Sequence, residues 1–511
     1  MPVPVPASPA TDAPLAGAPG APPQRTVPRP APSTASEVDR AVEELGAAAR
    51  TFGRMPPKEK AELLERCLPL LLASAREQVA VACAAKGIDP ASPASGEEWI
   101  AGPYPTVANA RQLVDGLREI ADFGRPLLPQ GAIVRRDDGR VFARVIPQRG
   151  VEGLLMRGSS ADVYMTEGVS RDDVTAHQAL FYRQSEPEGA VSLVLGAGNV
   201  ASIGPMDALY KLFVEGRVVL LKMSPVNDYL GDFILRGFAP LVEMGLLRVV
   251  YGGPDEGAYM VQHPGIADVH VTGSNETHDS IVWGPRGAER EARRAEGRPL
   301  FTRPITSELG NVSPVVVIPF LYDKDELWFQ ARNVASQVTN NASFNCNAAK
   351  MLVLPRGWAQ RDLFLGMIEK ALSAVAPRPA YYPGAAERWA RLTAGRDDVR
   401  CIGDTGDPGA TRPDGLPAPL PWTVIRDVDP RAADEPLLRT EPFCSILSVV
   451  TIGSDDPLQM LQEATRFCNE RLWGTLNAML IAHPLLSEDE TLAGGLDRAL
   501  LELRYGTVAV N

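Results

Sequence analysis

Two periods of apolar residues alternate along this chain, and the switches between them mark out its elements. A helical period opens at Ser36, with Val38, Val42, Leu45 and Ala49 on one face, Ser36 as a possible N-cap and Asp39 three residues on. Pro56-Pro57 interrupts it. A second helix is predicted over 58–86, with Leu63, Leu64, Leu68, Leu71, Leu72 and Val79 in a wide stripe and Gly87 and Pro90 closing it. Over 127–146 the period becomes that of a β-hairpin: 133–135 and 141–145 flank Asp137-Asp138-Gly139, and Asp-Gly favours a tight turn. Residues 146–182 follow neither period.

A strand–helix–strand unit comes next. AVSLVL (190–195) is a continuous β run, as suits a parallel strand covered on both faces. Gly196-Ala197-Gly198-Asn199 makes a turn, 205–215 a helix ended by Gly216, and VVLLK (218–222) the next strand. The turn invites a phosphate-binding reading, but Gly196, Gly198 and Gly204 do not satisfy GxGxxG. Further on, a helix is predicted over 231–244, strands over 247–251 and 268–272, a helix start near Ser274, an exposed Arg/Glu-rich helix over 284–298, and short strands at 305–309 and 315–318. The alternation then repeats: helix 358–374, strands 423–426 and 444–450, helix 457–469 and strand 478–481, with a Pro/Gly/Asp-rich region over 376–421. Alternating strands and helices predict an α/β fold with mostly parallel sheets.

Composition narrows the function. The 511 residues are 45% apolar, enough for two or three cored domains. Residues 1–35, rich in Pro, Ala, Ser and Gly, have too little apolar surface to offset the entropy of ordering and are expected to be a disordered tail rather than a secretory signal. A net charge of −12 argues against nucleic acid as the main partner and gives no reason to expect an anionic membrane. No apolar run approaches the roughly 18 residues that span a bilayer. The six cysteines are scattered without CxxC spacing and the five histidines form no HExxH, so no metal site is suggested; this cysteine usage fits a reducing, cytoplasmic compartment. Cys346 draws attention. It lies in SQVTNNASFNCNAAKMLVL (336–354), between a helical period and an apolar strand, a suitable place for a nucleophile. The alternative is a small buried hydrophobe.

Several segments decide between these readings. EPEGAVSLVLGAGN (186–199), VVLLKMSP (218–225), VTGS (271–274), ELGNVSPVVV (308–317), the Asn341–Cys346 stretch, EPFCSILSVV (441–450) and YGTVAVN (505–511) resemble, in order and approximate spacing, the motifs of the aldehyde dehydrogenase superfamily. The resemblance implies a Rossmann-like cofactor domain over 36–307, a catalytic domain over 308–490, a return segment over 491–511 to the cofactor domain, and the 127–146 hairpin as an oligomerisation arm of a homodimer or homotetramer. It implies Cys346 as nucleophile toward an aldehyde, Asn199 with the Cys346 N–H as oxyanion hole, and Glu308 as general base. NAD or NADP would be held by Lys222, Gly273, Ser274, Glu441 and Phe443. Departures from the pattern bear on chemistry. Pro225 replaces the acidic residue that favours NAD. His278 stands where a glycine would face the phosphates. Ser343-Phe344 precede Cys346, Cys444-Ser445 follow Phe443, and 146–182 looks inserted. Family members normally continue past the YGTVAVN strand into a tunnel-closing loop and an oligomerisation strand, so enclosure and assembly are left open. Three readings follow: a hydrolytic dehydrogenase, which Glu308 favours; a relative that acylates coenzyme A; and a non-catalytic binding protein on the same fold.

Overall fold

The computed structural model describes residues 29–136, 138–146 and 158–511, with Val27, Leu154 and Met156. Most of the expected 1–35 tail, the Asp137 position of the hairpin turn and residues 147–153, 155 and 157 of the expected insertion lie outside them.

Three sheets organise the chain. β1 (Ile133–Arg135), β2 (Val141–Ile146) and β3 (Ala161–Tyr164) form a small antiparallel sheet. The predicted hairpin is thus its first two strands, and the stretch after it supplies the third. β4 (Val191–Leu195), β5 (Val218–Lys222), β6 (Leu247–Val250), β7 (Asp268–Thr272) and β8 (Ile305–Glu308) form a parallel sheet in the order β6-β5-β4-β7-β8. The chain builds outward from β4 in one direction, then returns to continue from its other edge with β7. The carboxyl ends of β4 and β7 therefore flank a topological switch point, where α/β sheets open a ligand crevice.

The mostly apolar runs of β4 and β5 follow from burial on both faces: Leu193 and Leu220 share one core with Val38, Leu45 and Phe52 of helix Ala35–Arg54 and with Leu209 and Leu212 of helix Ile203–Phe213. Each such side chain contributes about 1.5–3 kcal/mol.

The third sheet has seven strands: β9 (Pro314–Val317), β10 (Met351–Pro355), β11 (Val399–Ile402), β12 (Trp422–Ile425), β13 (Ile446–Ile452), β14 (Asn477–Ile481) and β15 (Thr507–Val510), ordered β11-β12-β13-β10-β9-β14-β15. Only the β11–β12 pairing is antiparallel. Side-chain alternation splits its core in two: Val316, Val353 and Val450 face one layer, Val315, Leu352 and Val449 the other.

Several expectations are corrected. The first helix is capped by Thr34 in a capping box with Glu37, not by Ser36. The predicted 58–86 helix is two, Pro57–Glu65 and Leu68–Lys86, because Pro69 lacks an N–H and clashes with the carbonyl of the preceding turn. By length and composition this stretch, Pro57–Lys86, could also cross a membrane; 39% of its most apolar window is buried within the protein, through residues such as Leu63, Leu64, Cys67 and Leu71. Pro240 likewise divides 231–244 at Phe238. The region over 376–421 contains helix Ala385–Thr393 and β11, and helices Pro103–Phe123 and Glu490–Glu502 were not predicted. The 491–511 segment, expected to return to the cofactor domain, does not join the five-stranded sheet: helix Glu490–Glu502 leads into β15, which pairs with β14 at the edge of the seven-stranded sheet.

Candidate active site

The switch point supplies one wall of a cavity of about 530 Å³. After β4 the chain turns through Gly196 to Asn199. Asn227 Nδ2 donates to the Ala197 carbonyl (2.9 Å), and a Cβ on Gly198 would meet Ser224 Oγ at 2.5 Å, so only glycine fits there. Asn199 is thereby fixed at the cavity. After β7, Gly273 leads to Ser274, whose hydroxyl caps helix Asn275–Val282 by accepting from the Thr277 N–H at 3.2 Å. Glu308 ends β8 and lines the same cavity.

The opposite wall comes from the second half of the chain. Helix Lys324–Thr339 stops at Asn340, and Asn341, Ala342 and Ser343 all take left-handed backbone (φ 51°, 54° and 68°). None is glycine, and each costs about 1–2 kcal/mol relative to ordinary backbone. Buried hydrogen bonds offset that cost. Asn341 Nδ2 donates to the carbonyls of Asn199 and Phe344, both at 2.9 Å. Its Oδ1 accepts from Lys86 Nζ (3.1 Å) and Tyr381 Oη (2.9 Å), which fixes the amide's orientation. Lys350, fully buried, donates to the Ser343 carbonyl (2.8 Å) and hydroxyl (3.1 Å). Three residues after this bend Cys346 faces the cavity, half-buried, with its carbonyl accepting from Ser313 Oγ (3.0 Å).

Electrostatics near the thiol are unfavourable to a thiolate. Burial, reinforced by the charges of Glu441 and Glu308, pushes Cys346 up to about 11. Burial also raises Glu441 to about 7 against the opposing pull of Lys350. The Glu441 Oε1 oxygen is enclosed yet has no hydrogen-bond partner among the described residues. Gly310 makes room for this carboxyl, since a Cβ there would fall 2.0 Å from Oε2. Phe443, itself left-handed (φ 42°), packs edge-on against Tyr382 and takes two carbonyl-directed contacts from Arg388: the guanidinium donates to Pro442 and Phe443, both at 3.1 Å.

Cys346, Glu308, Asn199, Gly273, Ser274, Glu441 and Phe443 therefore line one cavity. Lys222 does not: it is buried, its ammonium donates to the Gly252 carbonyl (2.6 Å), and burial lowers its pKa. His278 turns toward Asp279 (3.2 Å) and also stays out of the lining. Cys444 is fully buried, its thiol raised to about 11, as befits a packing residue. Sequence reading missed Lys86, Glu98, Tyr381, Lys350 and Arg388. Only Lys350 carried a local signal, a lone cation at the start of an apolar strand; the others are brought in by tertiary packing.

Comparison with known proteins agrees with this architecture. The family model described as "Aldehyde dehydrogenase family" matches residues 156–380, which include Asn199, Glu308 and Cys346. The chain is 25% identical over 332 residues to the mouse dimeric NADP-preferring aldehyde dehydrogenase, covering 63% of each chain, so it spans less than two thirds of that relative's length. It is 30% identical over 141 residues to human 4-trimethylaminobutyraldehyde dehydrogenase, covering 27% of this chain and 25% of that one. Among solved structures, an indole-3-acetaldehyde dehydrogenase complexed with NAD+ superposes with a TM-score of 0.63 at 18% identity, over 93% of this chain and 81% of that one. A 1-pyrroline-5-carboxylate dehydrogenase gives 0.63 at 16% identity, over 94% and 78%. Over residues 156–380 the chain thus resembles the aldehyde dehydrogenase family, and over most of its length it shares the fold of solved aldehyde dehydrogenases.

Proposed function

We propose that the protein oxidises an aldehyde to a carboxylic acid with NAD or NADP, through Cys346. The observation that carries this reading is the convergence of Cys346, Asn199, Glu308 and Glu441 from four separate segments on one cavity. The cofactor-side residues fit a dinucleotide: Glu441 Oε1 is a buried acceptor without a protein partner, of the kind a ribose hydroxyl satisfies, and Gly273 and Ser274 stand at a helix start. When bound, the nicotinamide supplies the acceptor for the hydride.

The chain's own residues do the rest. Cys346 must lose its proton before it attacks the carbonyl carbon, since the thiolate is the nucleophile. Glu441, raised to about 7, and Glu308 are carboxylates of the same cavity and would take it. Attack forms a C–S bond and an alkoxide. One N–H of Asn199 Nδ2 is engaged by the Phe344 carbonyl (3.1 Å), which leaves the other to stabilise that alkoxide with the Cys346 N–H. Loss of hydride leaves a thioester on Cys346. Glu308 then draws a proton from water as the water oxygen bonds to the thioester carbon; the C–S bond breaks, the acid leaves, and the proton held by Glu308 returns to the thiolate.

A second reading, acyl transfer to coenzyme A, is favoured by one feature. Arg391 and Arg439 line the cavity exposed and without a hydrogen-bond or ion-pair partner among the described residues, as suits a polyanionic acceptor. Reduction of NAD or NADP by a panel of aldehydes, with and without coenzyme A, separates the readings. Reduction without coenzyme A supports hydrolysis; strict dependence on it supports acylation; none with any pairing, and no cofactor binding by calorimetry, overturns both in favour of a binding protein.

A further inference from the structure

Behind Asn199, on the side away from the cavity, lies a buried ion pair that neither the mechanism nor the motifs account for. Lys86 is the last residue of helix Leu68–Lys86, and Gly87 takes left-handed backbone (φ 68°) just after it. The Lys86 ammonium is buried and makes three hydrogen bonds: to Glu98 Oε1 (2.7 Å), to the Asn199 carbonyl (3.1 Å) and to Asn341 Oδ1 (3.1 Å). Glu98 is 2% exposed, and its second oxygen has no partner among the described residues. Next to it, Glu97 accepts from the Asn341 N–H (3.0 Å) and is held by Arg378 (2.7 Å). Tyr381 Oη closes the group, donating to Asn341 Oδ1 (2.9 Å).

These contacts have a common geometry. The Asn199 carbonyl is gripped by Lys86 and by Asn341 Nδ2, while the Asn199 side-chain amide reaches the same Phe344 carbonyl that Asn341 holds. An amide donor helps an alkoxide only when its direction is set in advance. Here that direction is set through one cation that touches both the Asn199 turn and the left-handed bend before Cys346. A buried lysine with three fixed acceptors has no freedom to relax, so its position is passed on to both.

We propose that Lys86, anchored by Glu98, is a positioning residue for the reaction: it acts through the Asn199 and Asn341 backbone and side-chain amides to aim the Asn199 donor at the alkoxide formed on Cys346. This rests on the aldehyde-oxidising reading above. The pair is removed together in K86M/E98Q, which leaves no lone buried charge, and combined with N199A in a cycle. The expected result is a kcat at least about 30-fold lower with cofactor affinity by calorimetry unchanged within about twofold, and a further loss of less than about threefold when the pair is removed from N199A. An equal loss in both backgrounds, or a loss carried by cofactor affinity, overturns the proposal. If K86M/E98Q does not fold by circular dichroism, E98Q alone is measured. A kcat loss of about fivefold that vanishes in N199A is expected, and no loss overturns the proposal. Should wild type oxidise no aldehyde, the inference is still read by iodoacetamide alkylation of Cys346, followed by mass spectrometry. Freeing the 341–344 bend in the variant is expected to raise that rate at least about fivefold, and an unchanged rate overturns the inference.

Discussion

The two walls of the cavity are held in different ways. On the five-stranded sheet, Asn199, Ser274 and Glu308 sit at or just beyond the carboxyl ends of β4, β7 and β8, where a parallel sheet opens at its switch point. Local rules place them: a continuous apolar strand, a glycine too tightly packed for a Cβ, a helix cap. On the facing wall, the bend before Cys346 runs against local preference, with three successive non-glycine residues left-handed. It is kept there by side chains packed around it: Lys86 and Tyr381, distant in sequence, and Lys350, seven residues beyond Ser343. One wall is a product of secondary structure, the other of tertiary contacts that secondary structure opposes.

The sharpest way to use that contrast is to remove the thiol the facing wall presents. C346A is expected to lower cofactor reduction by at least about a thousandfold, because no other group in the cavity can carry the acyl chain, while the thermal midpoint stays near wild type. Next, K350M attacks the bend directly. It leaves the Ser343 carbonyl buried without its donor and should cost about 3 kcal/mol in urea unfolding. It also takes away a positive charge that Cys346 and Glu441 feel, so the pH at which Cys346 alkylation reaches half its maximal rate should rise. If K350M were stable and its thiol unchanged, the bend would not depend on buried tertiary contacts and the contrast would fail.

That contrast also explains what could be read from the sequence. The strands β4 and β5 were legible because burial on both faces writes a mostly apolar run, β7 because its valines alternate with polar residues, and Ser274 because a helix cap has a local signature. Cys346, Asn199 and Glu308 were legible as motifs, and the cavity brings them together. Lys222 was legible as a motif too, yet its ammonium is spent on the Gly252 carbonyl and lies outside the cavity lining. Lys86, Glu98 and Tyr381 were not legible at all. A lysine at the end of an amphipathic helix looks like any other helix C-terminus, and only the docking of three distant segments makes it buried. β11 and the helix over Ala385–Thr393 were hidden for a different reason: a Pro/Gly/Asp-rich composition reads as loop, and an edge strand with half-exposed residues writes only a weak alternation.

Glu441 tests whether the cavity itself is under electrostatic strain. In the folded chain its carboxyl keeps its proton up to about pH 7, against an ordinary value of 4.5. Folding therefore takes up a proton between those two values, and stability falls as pH rises through that window. Below pH 4.5 both states are protonated and there is no penalty; above 7 the penalty is full and constant. E441Q never ionises, so its advantage over wild type should open between pH 4.5 and 7 and level off on the order of 3 kcal/mol. The same substitution removes one of the two negative charges that raise Cys346, so thiol alkylation near pH 8 should quicken. A stability difference flat with pH would mean that Glu441 is not held protonated by the cavity.

The smallest expected effect belongs to the wall that local rules build. Ser274 accepts from the Thr277 N–H and caps an eight-residue helix, so S274A loses one cap, about 1 kcal/mol. Because that helix is packed by its own neighbours, with Val282 buried and Glu276 paired to Arg286 and Arg290, the loss should stay local. On the proposed aldehyde-oxidising reading, in which this helix start faces the cofactor, the variant should keep its kcat and raise the KM for the cofactor severalfold. A variant that instead lost kcat and left the cofactor KM alone would place Ser274 with the thiol's wall, and the division between a locally determined binding wall and a tertiary-held reacting wall would no longer describe this site.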